Sequence, residues 1–179
     1  MMKKLFSGLA AAALILGAST LSAQSTNTVQ IGIAAGAAIP VGDFADLFNT
    51  GYNGTVFVGI KPLTSPVGIR VDGMYNKFLG RDDIAVNQPD ANIIGGTANL
   101  VYSLPGVGIR PYLIGGAGYY GLKLDTPGAE RTGKFGVNGG VGAAFALSGF
   151  NTFLEARFHH VDTEGGSTQF IPVIFGLSF

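Results

Sequence analysis

The chain has 179 residues, of which 47% are hydrophobic and only 12% charged, with 29 glycines, no cysteine and a formal net charge of zero. An average soluble domain carries roughly 25% charged residues and about 7% glycine, so this chain is unusually apolar and glycine-rich. Without cysteine there can be neither a disulfide framework nor a thiolate-ligated metal, and the neutral balance gives no electrostatic footprint for nucleic acid.

At the N-terminus, Lys3 and Lys4 precede an apolar run from Leu9 to Ala18, and small residues follow up to Leu21-Ser22-Ala23. This layout predicts a secretory signal peptide over residues 1–23, cut after Ala23. Its apolar core is shorter than the roughly 20 residues a spanning helix requires. Residues 24–179 then form one domain.

Period-two alternation predicts eight strands in that domain, near 28–39, 51–61, 67–79, 92–104, 108–121, 133–147, 151–162 and 169–179. Three connections are short: Pro62–Pro66, Pro105–Val107 and Ser148–Phe150. Four others, PVGDFADLFNTG, GRDDIAVNQPDA, KLDTPGAERT and DTEGGST, are longer or more polar. Long follows every odd strand and short every even one, the order expected of an up-and-down meander whose two rims face different compartments.

The strand faces differ in kind. In the third strand Ile69, Val71, Gly73 and Tyr75 alternate with Arg70, Asp72, Met74 and Asn76; in the sixth, Val137, Val141, Ala143, Phe145 and Leu147 alternate with Gly136, Asn138, Gly140, Gly142 and Ala144. A soluble up-and-down barrel turns its apolar set inward and its polar set to water. Here the second set is mostly Gly, Ala, Asn, Thr and Ser, with few of the Lys and Glu residues of a solvated face. It suits the inside of a narrow barrel, and the apolar set then faces lipid, where a sheet must close on itself to satisfy its backbone. The predicted fold is all-β, an eight-stranded antiparallel up-and-down transmembrane β-barrel, whose interior is just wide enough for side chains to fill.

The closing segment IPVIFGLSF places Ile171, Val173, Phe175, Leu177 and Phe179 on one face. This row is the lipid-facing side of the last strand, and its alternation and terminal Phe resemble the C-terminal signal by which insertion machinery recognises outer-membrane barrels. The signal peptide, IPVGDFADLF, GIRVDGMYNKF, IRPYLIGGAGYYG, FLEARFHHV and this terminus together resemble the small outer-membrane β-barrel family, the OmpA/OmpX-like eight-stranded proteins of Gram-negative bacteria, across residues 24–179. The resemblance implies a monomeric barrel in the outer membrane, exported through the periplasm, with roles in envelope integrity, adhesion or host contact. Its implied partners are outer-membrane lipid and lipopolysaccharide, the barrel insertion machinery and periplasmic chaperones; nucleic acid is not among them. No peptidoglycan-binding domain follows the barrel in this sequence, so tethering to the cell wall is not expected. The chain contains no Trp, and any aromatic girdle rests on Tyr and Phe.

Charge inside the barrel is concentrated in Arg70 and Asp72 on the third strand and Glu155 and Arg157 on the seventh, strands that lie opposite each other in an eight-stranded barrel. Charges on the lipid face cost roughly 2–4 kcal/mol near the midplane, whereas opposite signs can pair across a lumen. The four residues are expected to form a polar plug. No catalytic, cofactor-binding or metal site is expected. Glu164 and Ser167 lie near His159-His160 in sequence, but in a glycine-containing loop instead of at alternate positions on a strand, so no triad is specified, and both histidines are expected to be solvated at the rim. The acids Asp43, Asp46, Asp82, Asp83, Asp90, Asp162 and Glu164 lack the ligand spacing of a calcium loop. The competing functions are a narrow pore, a lipocalin-like binder of an apolar ligand, and an outer-membrane lipid-modifying hydrolase.

Overall fold

The computed structural model describes residues 27–81, 88–147, 150–163 and 166–179. The expected signal peptide, residues 1–23, lies outside this range. Eight strands follow one another in the chain: β1 Asn27–Val41, β2 Phe48–Pro62, β3 Val67–Gly80, β4 Ala91–Ser103, β5 Ile109–Leu124, β6 Thr132–Leu147, β7 Phe150–Thr163 and β8 Gly166–Ser178. Each pairs with its sequence neighbour, and β8 pairs back onto β1 to close the barrel. All pairings are antiparallel. A single helix among the described residues, α1 Asp43–Leu47, occupies the β1–β2 connection. Gly42 before it adopts φ 59°, a left-handed conformation that a side chain resists.

Closure is sheared. The paired residues can be followed once round the wall: Ile31, Val58, Val71, Ala98, Ala117, Val137, His160, Gln169 and back to β1 at Val41. The path returns ten residues further along β1 (31 to 41). A shear of this size over eight strands tilts each strand by roughly 40° from the barrel axis. Residues on the same circumference of the barrel are therefore not hydrogen-bonded partners; each successive strand is stepped.

The predicted outer face is the outer face found. Ile69, Val71, Val56, Val58, Leu100, Val137 and Val141 are all exposed, because β-branched and apolar side chains suit a pleated wall in contact with lipid. With the shear applied, Tyr52, Tyr75, Tyr119 and Phe135 fall at one level towards the helix-bearing end, and Tyr52–Tyr75 and Tyr119–Phe135 are in ring contact. Tyr102 and Phe179 mark the other boundary. Between them runs the apolar band that gives such barrels their fit to the bilayer, flanked by aromatic side chains at both interfaces. The terminal row is on this surface as well: Phe175 is 57% and Phe179 66% exposed, with Ile171, Val173 and Leu177 half-buried in the same row.

The expected alternation of long and short connections holds for the first six of the seven and fails at the last. β7 runs to Thr163 and β8 starts at Gly166, so most of DTEGGST belongs to strands. The β-branched Thr163 and Thr168 extend the ladder, with Val161 paired to Thr168 and Asp162 to Ser167.

The packed lumen as the candidate functional site

Inward positions stack in layers along the barrel axis. The central layer is charged. Arg70 donates from Nη1 and Nη2 to the two carboxylate oxygens of Glu155, both at 2.8 Å. Its Nε lies 2.9 Å from Asp72 Oδ1. From the facing wall, Arg157 Nε lies 2.9 Å from Glu155 Oε1, and its Nη1 lies 3.4 Å from Asp72 Oδ2. The four residues that the sequence placed on opposite strands are thus brought together as a ring of alternating sign. Each arginine touches both carboxylates, so the ring is neutral and its charges are compensated by one another. All four are buried.

Around the ring are residues that sequence reasoning did not assign. Tyr112 donates its hydroxyl to Glu155 Oε2 at 2.7 Å. Asn99 donates to Asp72 Oδ2 and, at 2.9 Å, to Thr97 Oγ1. The Phe57 ring lies beneath the Arg70 guanidinium at 4.6 Å, a cation–π contact. Parity could have found Tyr112 and Asn99, since each has the inward parity of its strand; what parity does not give is the level at which a side chain meets the ring.

Large inward side chains need space across the wall, and glycine supplies it. A Cβ on Gly142 would run into the Tyr112 ring, and one on Gly176 into Phe153. The inward glycines are therefore a complement to inward aromatics, which the reading of that face as mostly small or polar did not include.

The layer above the ring is aromatic. Phe48, Phe78, Tyr120, Phe170, Ile93, Met74, Val161 and Ala38 form a buried cluster, with Phe44 of α1 and Leu122 packed against it. Phe44 meets both Phe48 and Phe78, at centroid distances of 4.7 and 4.9 Å, so the short helix closes the barrel end with an apolar lid. The expectation of two solvated rim histidines is corrected here. His159 is fully buried, hydrogen-bonded through Nδ1 to Tyr120 Oη at 2.8 Å and stacked on Phe170 at 4.9 Å and 7°. The cause is parity: Glu155, Arg157 and His159 share one face of β7, and the tilt of the strand carries His159 into the aromatic layer. His160, of opposite parity, is half-buried at the wall beside Asp162 and Gln169.

At the rim above, Lys77 pairs with Asp90 at 3.0 Å and Asp125 at 3.4 Å. The Gly80 N–H donates to Asp90 Oδ1 at 3.0 Å. That backbone bond, with Lys77 second, holds the Asp90 carboxyl below its usual range. Asp82, Asp83 and Glu164 lie outside the described residues. No group of three or more His, Asp or Glu among the described residues is arranged to hold a metal.

A closed, sheared, eight-stranded barrel with a lipid-compatible exterior and a packed interior defines an integral outer-membrane β-barrel protein. The model of the outer membrane protein beta-barrel domain family matches residues 8–179, and the chain belongs to that family. Its location is the outer membrane. Solved structures with the same fold include Neisserial surface protein A, at 14% identity and TM-score 0.66 over 86% of this chain and 96% of that one. A major outer membrane protein of Thermus thermophilus is 12% identical, with TM-score 0.53 over 85% and 98% of the two chains. The outer membrane enzyme PagL is 15% identical, with TM-score 0.53 over 84% and 98%. A comparison with curated proteins gives no match. At these identities the likeness is one of fold, and since the fold houses an enzyme among its bearers it does not decide catalysis.

Proposed function

We propose that this protein acts as a monomeric, non-enzymatic component of the outer membrane, serving envelope integrity or surface interaction through its barrel wall and its longer connections, with its lumen closed by Arg70, Asp72, Glu155 and Arg157. The observation that carries the reading is the ring: its four charges satisfy one another across the barrel, and an aromatic layer lies directly above. A conducting path would have to separate oppositely charged pairs in a low-dielectric interior, where their attraction is strong. An apolar-ligand binder needs an apolar cavity, and the apolar layer here is filled by its own side chains. His159 is buried against Phe170, and His160, on the outer face with Ser167 of β8, is engaged by Asp162 and Gln169 with Gln169 between it and the serine; neither histidine holds a serine hydroxyl, which favours the non-enzymatic reading.

The same reading assigns residues 1–23 to a cleaved signal peptide and Ile171, Val173, Phe175, Leu177 and Phe179 to recognition by the insertion machinery after passage with periplasmic chaperones. The aromatic-bounded band contacts lipid, and the helix-bearing rim meets lipopolysaccharide. The short turns then face the periplasm. A strain lacking the protein tests this function: heightened detergent sensitivity or lost surface attachment is expected, with small-solute uptake unchanged. An uptake defect with neither of the other phenotypes would overturn it in favour of a pore.

A further inference from the structure

Below the charged ring, at the short-turn end, the barrel does not pack shut. A cavity of about 110 Å³ opens there, lined by inward residues of all eight strands. Its inner floor is Phe57, Tyr112 and Phe153 with Arg70 behind them, and its mouth is polar. With the shear applied, Gln30 of β1, Lys61 of β2, Ser103 of β4, Arg110 of β5, Asn151 of β7 and Ser178 of β8 fall at nearly one level and form a collar. Lys61 and Arg110 supply two positive charges, and no Asp or Glu side chain lines the cavity.

The contrast with the rest of the molecule is chemical. Arg70, Arg157 and Lys77 each sit within 4 Å of a carboxylate. Lys61 and Arg110 are hydrogen-bonded to neutral partners instead: Lys61 Nζ donates to Ser103 Oγ at 2.9 Å, and Arg110 Nη2 donates to Asn151 Oδ1 at 3.2 Å. Neither is in an ion pair among the described residues. These bonds reach across the mouth, Lys61 over β3 to β4 and Arg110 over β6 to β7, so both cationic groups are held over one opening. Each retains donors that its neutral partner does not use, since an ammonium has three N–H groups and a guanidinium five. The nearest lumen acid, Glu155, is already engaged by Arg70, Arg157 and Tyr112.

We infer that this collar is a binding site for a phosphate-type oxyanion, held between Lys61 and Arg110 with Ser103, Asn151 and Gln30 as neutral donors. A cavity of this size takes several waters, each needing roughly 10–15 Å³, and so accommodates one tetrahedral anion. The Arg fork matches two oxygens of such an anion and the Lys adds a point charge. Lys61 is half-buried and Arg110 exposed at the mouth, and two like charges held over one opening raise the local concentration of an anion there. The ligand is free phosphate or a phosphomonoester end group, and its size is limited by the aromatic floor.

The test uses the full mature protein, folded in a nonionic detergent, titrated with inorganic phosphate and followed by calorimetry and by phosphorus NMR line broadening. Saturable one-to-one binding is expected. Replacing Lys61→Gln and Arg110→Gln together should weaken it about tenfold or more, whereas Arg131→Gln at the opposite rim should leave it unchanged. Lys61→Arg should retain binding and so show that the site needs charge, not one side chain. Glycerol 3-phosphate should compete if a phosphomonoester fits, and fail to compete if only the free ion enters; either result supports the oxyanion site and separates its two sources. Heat-shifted gel mobility reports that each variant is folded. Non-saturable binding, or binding that the folded double variant retains in full, would overturn the inference.

Discussion

Arg70 and Glu155 face each other across the barrel in a two-pronged pair, with both N–H···O distances at 2.8 Å and both side chains buried. Breaking such a pair from one side leaves an uncompensated charge, which typically costs about 3–5 kcal/mol when burial is complete. Arg157 and Asp72 remain beside the vacancy and share the burden. Arg70→Gln or Glu155→Gln alone should lower the unfolding midpoint in detergent, and the double variant should cost less than the sum of the singles. Urea titration of all four proteins checks this. Additivity would show that the two side chains do not act on each other.

Tyr112 and Gly142 are coupled by space. The Tyr112 ring occupies the volume a Cβ at position 142 would need, and overpacking of this kind costs typically 1–3 kcal/mol. Gly142→Ala should therefore destabilise the wild type, and Tyr112→Ala should relieve that added cost. Tyr112→Phe leaves the packing and removes one hydrogen bond to a charged acceptor, a loss of about 1.5–3 kcal/mol. Equilibrium unfolding of the single and paired variants separates the two contributions.

At the rim, the Asp90 carboxyl is depressed by the Gly80 N–H and by Lys77. A depressed carboxylate contributes stability that is present above its unfolded value, near pH 4, and is lost as pH falls through the lower folded value. Protection of the Gly80 amide from hydrogen exchange should therefore fall on acidification below about pH 4, after correction for intrinsic rates. In Asp90→Asn it should be weaker at neutral pH and no longer show that step. The group is half-buried at the rim and partly screened by solvent, so the effect should stay local to the β3–β4 rim.

Phe175 and Phe179 project from β8 on the lipid side. Replacing both with Asp places carboxylates where the wall meets the bilayer and removes the aromatic end of the closing strand. Pulse-chase fractionation should show export across the inner membrane intact and outer-membrane assembly blocked. Normal assembly of this double variant would contradict the role given to the terminal row.

The wall of the barrel was legible because lipid imposes a strict rule on every second residue. Ile69, Val71 and Tyr75 obey it, and Arg70 and Asp72 between them could only face inward. The aromatic layer was not legible in the same way. Phe78, Tyr120 and Phe170 have inward parity, yet they interrupt a face otherwise rich in glycine, and the gaps that receive them lie on other strands. Height was the missing coordinate: His159 shares the parity of Glu155 and Arg157, but only the shear of ten residues between Ile31 and Val41 places it among aromatics instead of at a wet rim. The last connection was misjudged for a local reason, since the glycines of DTEGGST read as loop although the threonines beside them extend the ladder.

Whether the lumen is closed is tested most directly by single-channel recording of the folded wild-type barrel in planar bilayers, beside Glu155→Gln. With Arg70, Asp72, Glu155 and Arg157 compensating one another under an aromatic layer, the wild type should show no large, stable openings, and any rise in conductance should be confined to the variant whose ring is broken. Large, stable wild-type channels would contradict the account.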